Sequence, residues 1–417
     1  MERTHLFSPN INVAVQFTII GAVKVEELKE AIVKAVNCNQ ILSCKIRLRE
    51  NGDAYYSLSD EPVFTIQITE KDRDEIITNQ ERIPFELEKG EMVRFFIQPD
   101  GNGAKLVIIA HHLAGDGLSI SYLVEDIMTA LGGSDPKFKP LKLCTLKDLP
   151  KDSNLNIFMR FLTNRLNAGW EKSKKVFQFE DYKNMFQRYW KDRETVIFSE
   201  KLDITVLDLL QKKSKEHNVT LNSLITTVLL RAEGKKADTG LAVSIREDKN
   251  QSMGNFASGI SIIYKYDESK NFWENAACIQ KLIYKKLKAN KNKYFLLQFL
   301  GHIDSTLIDG AYFSAYDGYN DKTAELVKNM FGYNNNTKDI SITNLTRLEQ
   351  QLTYGKYTIT DFIFIPPVVP NAKHMFGIVT LGENLHVVMH VWKNNQNSKE
   401  LEFFNKVMEY IREIVNK

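Results

Sequence analysis

The sequence predicts a mixed α/β protein built as two halves of similar plan, each a mixed sheet with helices packed against it. Three observations predict it. β-rich segments are interspersed with amphipathic helical ones along the chain. A strand followed by a helix opens the chain, and the same pairing opens again near residue 195. The 417 residues exceed what one core usually serves, at roughly 150 residues per domain.

Residues 11 to 23 alternate as a strand, interrupted by Asn12, Gln16, Thr18 and Gly21 and not preceded by a basic segment, which excludes a signal peptide as the reading of this stretch. Val25, Leu28, Ala31, Ile32, Ala35 and Val36 then recur at helical spacing. The second opening is Thr195 to Phe198, a strand, followed by helices carrying Val206, Leu209 and Leu210 and then Leu221, Leu224, Ile225, Val228 and Leu229. Between them, Lys137 to Arg193 holds Pro140 and Pro150 and an aromatic, lysine-rich stretch that suits a crossover, so the halves are expected at 1–175 and 176–417. The last third reads as strands at 339–345, 357–365, 375–381 and 385–392, closed by a helix over 399–415.

Composition narrows the function. With 43% hydrophobic and 26% charged residues the chain has the makeup of a folded globular protein, and a net charge of +3 is far from the basic excess that nucleic acid demands. No run reaches the ~18 apolar residues of a membrane span. Cys38, Cys44, Cys144 and Cys278 form no CxxC pair and read as buried thiols in a reducing, cytoplasmic setting. Lys285, Lys286, Lys288, Lys291 and Lys293 form one basic run, a solvated helix face or a receiver of phosphates or an acidic carrier surface. His386 and His390 share a strand face but lack the Cys or carboxylate set of a metal site, and no metal is expected. There is no Walker loop, GxSxG or HExxH.

One segment carries chemistry. Leu106 to Ala110 form a buried strand, His111 and His112 close it, and Asp116-Gly117 open a helix that Gly132-Gly133 end. An imidazole on a loop at the carboxyl end of a strand is a candidate general base, because it titrates near neutrality and takes and returns a proton without a cofactor. Asp116 either holds the imidazole or fixes the loop by pairing with a cation, and Gly117 is expected to supply a backbone conformation other residues resist. Random placement would give HHxxxDG in on the order of one such chain in two thousand, so coincidence is a poor explanation.

The string Ala110 to Ser119 resembles the HHxxxDG signature of the chloramphenicol acetyltransferase-like superfamily, which includes peptide-synthetase condensation domains, alcohol acyltransferases and polyketide-associated acyltransferases. Ile83 to Phe95 resembles the PFDL..GPLLR stretch ahead of that motif, and Asn39 to Arg47 the HPLLR region. Ser244-Ile245-Arg246 followed by Met253 to Ser258 is similar to the segment in which an Arg precedes a GNF turn. Ile342 to Leu345 resembles the S-N-L-G strand, with Thr346 in place of Gly, whereas Asp361-Phe362 departs from the plant DFGWG element and carries no function over.

The resemblance implies two halves around a central tunnel, with donor and acceptor arriving from opposite faces. It makes His112 the base, His111 a structural residue, and Asp116 an anchor bridged to Arg246. Gly117 would let the backbone approach the reacting carbonyl, and Thr343 or Asn344 would be candidate donors to the oxyanion. The implied activity is acyl transfer from a thioester, with acyl-coenzyme A or an acyl or peptidyl carrier protein as co-substrate and no tightly bound cofactor, to the hydroxyl or amine of a small-molecule acceptor. The alternatives are a stand-alone condensation domain joining carrier-bound groups into an amide, and a silent binding scaffold. Intact His112, Asp116 and Gly117 argue against the scaffold.

Overall fold

A computed structural model describes residues 1–247, 250–333, 338–393 and 397–416. In chain order the strands are β1 (Asn12–Ile20), β2 (Cys44–Leu48), β3 (Ala54–Leu58), β4 (Val63–Ile68), β5 (Glu91–Asp100), β6 (Gly103–His111), β7 (Thr195–Leu202), β8 (Ala237–Ser244), β9 (Ala257–Tyr264), β10 (Lys338–Leu348), β11 (Thr353–Tyr354), β12 (Tyr357–Ile365), β13 (Ala372–Leu381) and β14 (Asn384–Trp392). They form two six-stranded sheets, ordered β11-β12-β1-β6-β5-β4 and β7-β14-β13-β10-β8-β9, and a β2-β3 hairpin. The expected class and two-lobed plan are those of the molecule.

The strand that leads to His112 lies deep in the first sheet. Leu106 to Ala110 of β6 have no exposed surface, because β6 sits between β1 and β5 and is covered on both faces. This is why its sequence is a continuous apolar run rather than an alternation. β1 pairs antiparallel with β6, setting Val13 opposite Ala110 and Asn12 opposite His111, so the register fixes where the histidines emerge. The helices up to this point are α1 (Arg3–Leu6), α2 (Val25–Cys38), α3 (Arg73–Gln80) and α4 (Gly117–Leu131), of which α4 buries Ile120, Leu123, Val124, Ile127 and Met128 and packs on α2.

A single cut at residue 175 does not separate the lobes. The chain leaves the second sheet after β10, runs β12 against β1 of the first sheet with Phe362 opposite Phe17, and returns to the second sheet at β13. Phe177, Tyr182, Phe186 and Trp190, together with Leu307 and Phe313 of the helix Ser305–Tyr316, are also buried in the first core. The second core draws on residues from Leu202 to Ile414. The aromatic stretch after 175 thus behaves as core and not as a linker, because large rings stabilise most when packed away from water. Cys38 and Cys44 are buried as expected, while Cys144 and Cys278 are half-buried. Among the described residues no helix is long and apolar enough to cross a membrane.

Candidate active site

The turn after β6 is held from below by the chain's own backbone and from across by the second lobe. Ala114 N donates to His111 O at 2.8 Å and Gly115 N to His112 O at 3.2 Å, folding the loop back on the histidines. Gly115 has φ +154, and a Cβ there would lie 2.5 Å from Cβ of Ser119, so only glycine fits. Asp116 then caps α4, its Oδ1 accepting from Ser119 N at 2.9 Å.

Asp116 is also the point where the lobes lock. Its Oδ1 accepts from Arg246 Nη2 at 3.0 Å, and its Oδ2 accepts from Phe256 N at 3.0 Å. Asp116 N donates in turn to Gly254 O at 3.2 Å. Arg246 also donates from Nη1 to Ser252 O at 2.6 Å and Asn250 O at 3.1 Å and from Nη2 to Ser119 Oγ at 2.8 Å, and its guanidinium lies 4.5 Å from the Phe256 ring centroid. The side chains are only 10% and 4% exposed, so each charge depends on the other for compensation.

The two histidines have separate environments. His111 is buried, accepts from Leu113 N at 3.2 Å through Nδ1 and meets the edge of Phe85. Burial, then the neighbouring His112 and Arg94, push its pKa down to about 3, so it is neutral. His112 is half-buried and lines a cavity of about 590 Å³ between the lobes. Its Nδ1 lies 2.6 Å from Asn255 Oδ1. The His5 ring stacks on it, with centroids 4.4 Å apart and planes 8° off parallel. Burial lowers the His112 pKa below the ordinary imidazole value, against the Asn255 bond and the Asp116 charge, which raise it.

The tautomer follows from the amide. Asn255 Nδ2 donates to His112 O at 2.7 Å and to Glu2 Oε1 at 2.6 Å. With the NH2 end committed to those two oxygens, Oδ1 faces His112 and acts as acceptor. Nδ1 therefore carries the proton, and Nε2, which no described residue bonds, carries the lone pair.

The expectations for Gly117, Thr343 and Asn344 are revised. Gly117 is the first residue of α4, has no positive φ and does not line the cavity. It is glycine for room, since a Cβ would fall 2.8 Å from Leu345 Cδ2 and 2.9 Å from Phe364 Cε2. Asn344 is committed elsewhere, its Oδ1 accepting from Thr346 N at 2.8 Å and its Nδ2 reaching Asn222 at 3.3 Å. Thr343 stands opposite Gly377 in the β10–β13 pairing, and the cavity wall takes Ser341 from β10 but neither Thr343 nor Asn344. Of the lysine run only Lys286 lines the cavity, while Lys285, Lys288 and Lys291 face solvent. His386 and His390 are engaged by Asp361 at 2.5 Å and by Pro366 O at 2.8 Å, and among the described residues no cluster could hold a metal ion.

Residues that sequence reasoning gave no role complete the site. Asn255 lies in the GNF string, where an Asn after Gly reads as a turn former. Glu2 and His5 belong to the first turn of the chain, α1 (Arg3–Leu6) with its cap, too short to show a period.

The model of the family described as Condensation domain matches residues 4–142. Solved structures align over the whole chain. Polyketide synthase associated protein 5 from Mycobacterium tuberculosis is 12% identical with a TM-score of 0.62, covering 100% of this chain and 97% of that one. The first condensation domain of the CDA synthetase is 12% identical with a TM-score of 0.64, covering 98% and 91%. The epimerization domain from the third module of tyrocidine synthetase B is 16% identical with a TM-score of 0.60, covering 100% and 94%. No curated protein matches the chain. The fold is the two-lobed, chloramphenicol acetyltransferase-like fold of condensation domains. Within it, residues 4–142 carry the condensation-domain family's sequence pattern, and that stretch includes β6, both histidines and all of α4.

Gly117→Ala is expected to cost about 1–3 kcal/mol by overpacking. The loss should shrink in a Leu345→Ala background, where the nearest contact is gone. Denaturant midpoints of the four proteins measure it, and an unchanged loss in that background would mean that Leu345 is not what excludes the added Cβ.

Proposed function

We propose that the protein is an acyltransferase that moves an acyl group from a thioester, on coenzyme A or a carrier protein, to a hydroxyl or amine, with His112 as general base. The observation that carries this reading is the His112 ring itself, which lines the cavity and is anchored through Nδ1 on Asn255, while no described residue bonds Nε2. A base with its far nitrogen fixed and its near nitrogen open is what proton removal from an acceptor requires.

In the reaction Nε2 takes the proton of the acceptor as its oxygen or nitrogen bonds to the thioester carbonyl carbon. The tetrahedral oxyanion then collapses, the C–S bond breaks, and the thiolate leaves with the proton returned by the imidazolium. No acyl-enzyme forms. The lowered pKa of His112 keeps the ring neutral and basic at physiological pH, and Asp116, through the loop it caps, supports the cation that forms transiently.

The cavity describes the group it would hold. Leu296, Leu300, Ile260 and Val369 give it apolar walls, and Lys286 adds a positive charge to its lining. These walls suit an aliphatic acyl chain, with the anionic part of the donor near Lys286. A second reading, amide formation between two carrier-bound groups, is favoured by the family match over residues 4–142. Mass spectrometry of the protein with acyl-coenzyme A and acyl-carrier donors, each with amine and alcohol acceptors, tests both. Transfer from carrier-bound donors alone selects the second reading, and hydrolysis or no reaction throughout contradicts both.

His112→Ala is expected to lower kcat by about 10²- to 10⁴-fold with little change in Tm. In the parent protein the acidic limb of kcat/KM should fall below the ordinary imidazole pKa of about 6.5, since only the neutral ring accepts the proton. Turnover within threefold of the parent would remove His112 from this role, and a limb above that value would contradict its environment.

Gly259 of β9 lines the cavity, and a Cβ there would meet nothing within 4 Å. Gly259→Leu should therefore fold normally and shorten the pocket. Selectivity of about 1–3 kcal/mol per methylene in an apolar site implies at least a tenfold drop in kcat/KM for the longest accepted acyl chain, with the shortest little affected. Equal effects on all chain lengths would place the chain elsewhere.

A further inference from the structure

The first turn of the chain is built into the site from both sides. Arg3 is buried and pairs with the fully buried Asp309 of the helix Ser305–Tyr316, with Nε 2.8 Å from Oδ1, and its Nη1 donates to Gly52 O at 2.8 Å. Tyr312 Oη of the same helix donates to Thr4 O at 2.8 Å. With the turn fixed at Arg3 and Thr4, the residues on either side, Glu2 and His5, are set against the loop that carries His112. His5 covers one face of the imidazole. Glu2 does not touch that ring, but it touches the amide that does.

The amide has two orientations of nearly equal shape, and which is adopted decides which nitrogen of His112 is basic. In one, the NH2 faces Glu2 and the His112 carbonyl, and the oxygen receives the Nδ1 proton. In the other, the NH2 faces Nδ1, which would then have to be the lone-pair nitrogen, leaving the proton on Nε2 and the cavity without a base. The His112 carbonyl alone holds the amide by one bond, at 2.7 Å; the Glu2 carboxyl engages the second N–H at 2.6 Å, and in the flipped state two oxygens would meet there. Glu2 is itself held, its Oε2 lying 3.2 Å from Tyr56 Oη. The chain Glu2–Asn255–His112 thus links the first turn, the second-lobe turn and the β6 loop.

We propose that Glu2 is a positioning residue that sets the orientation of the Asn255 amide and through it keeps His112 in the Nδ1–H tautomer with Nε2 free. The proposal rests on the reading of His112 as the base, yet its mark is a tautomer and not a rate. Glu2 lies outside the segment that matches the condensation-domain family, so it is a feature of this chain that the match does not carry.

The test is 15N NMR of histidine-labelled full-length protein, with the His112 signals assigned by their loss in His112→Ala, above the pH at which the ring protonates. The parent is expected to show a protonated Nδ1 and a lone-pair Nε2. In Glu2→Ala the two nitrogens should move toward each other in shift as the other tautomer becomes populated. In Glu2→Gln, whose side-chain oxygen still accepts from Asn255, they should return to the parent values. Asn255→Ala, which removes the acceptor itself, should redistribute the tautomer as Glu2→Ala does and stands in for it if that variant does not fold. In the transfer assay Glu2→Ala should lose kcat by about 10- to 100-fold, part of what a general base supplies, with KM unchanged. An unchanged His112 tautomer in folded Glu2→Ala or Asn255→Ala overturns the proposal whatever the activity. A redistributed tautomer in a protein whose parent transfers no acyl group upholds it and sinks only the proposed reaction.

Discussion

Where the histidine loop meets the second lobe, the structure turns on one buried ion pair, Asp116 with Arg246. Desolvating two charges is costly, and the cost is met here by dense secondary bonding. The carboxylate accepts from two backbone amides and a hydroxyl besides the guanidinium, and the guanidinium donates to several carbonyls. Such a pair contributes less by attraction than by uniqueness, since few other arrangements of the two lobes would satisfy so many buried groups. Because Asp116 also caps α4, the same carboxylate fixes the start of that helix and the loop between it and β6. The place of His112 is a consequence.

The first sheet and its histidine loop were legible in the sequence because each signal there is local. A continuous apolar run marks a strand covered on both faces, and an Asp before an amphipathic stretch marks a helix cap. The pairing of Asp116 with Arg246 came from the resemblance, since nothing local in either residue names the other. What could not be read was partnership at a distance. Alternation in residues 357–365 specifies a strand but not the sheet it joins, so the crossing of β12 to β1 was invisible and the boundary fell at 175. Thr343 and Asn344 resemble donors by motif position, yet Asn344 is bonded to Thr346 and Asn222 and neither residue lines the cavity. The turn-like context of Gly117 suggests conformation as the reason for a glycine, whereas space, set by Leu345 and Phe364 from far along the chain, is the reason.

The environment of His112 shows two opposing effects. Burial disfavours the imidazolium, whereas the amide of Asn255 and the nearby Asp116 favour it, and burial wins. The result is a ring that is neutral at rest but has a partner for the charge when it forms. His5, whose own pKa burial drives well down, stacks on His112 as a neutral ring. Residues of the first turn therefore pack on His112 and bond its Asn255 partner without being part of the histidine motif.

Asp116 and Arg246 hold the His112 loop against the second lobe as one unit. The most direct measurement is a double-mutant cycle, Asp116→Asn and Arg246→Gln, read in the free energy of unfolding by denaturant. Each single change should cost about 3–5 kcal/mol and the double change about 2–3 kcal/mol less than their sum, which is the coupling between them. Losses that add to within about 0.5 kcal/mol would mean that the two residues act independently, and the account would fail.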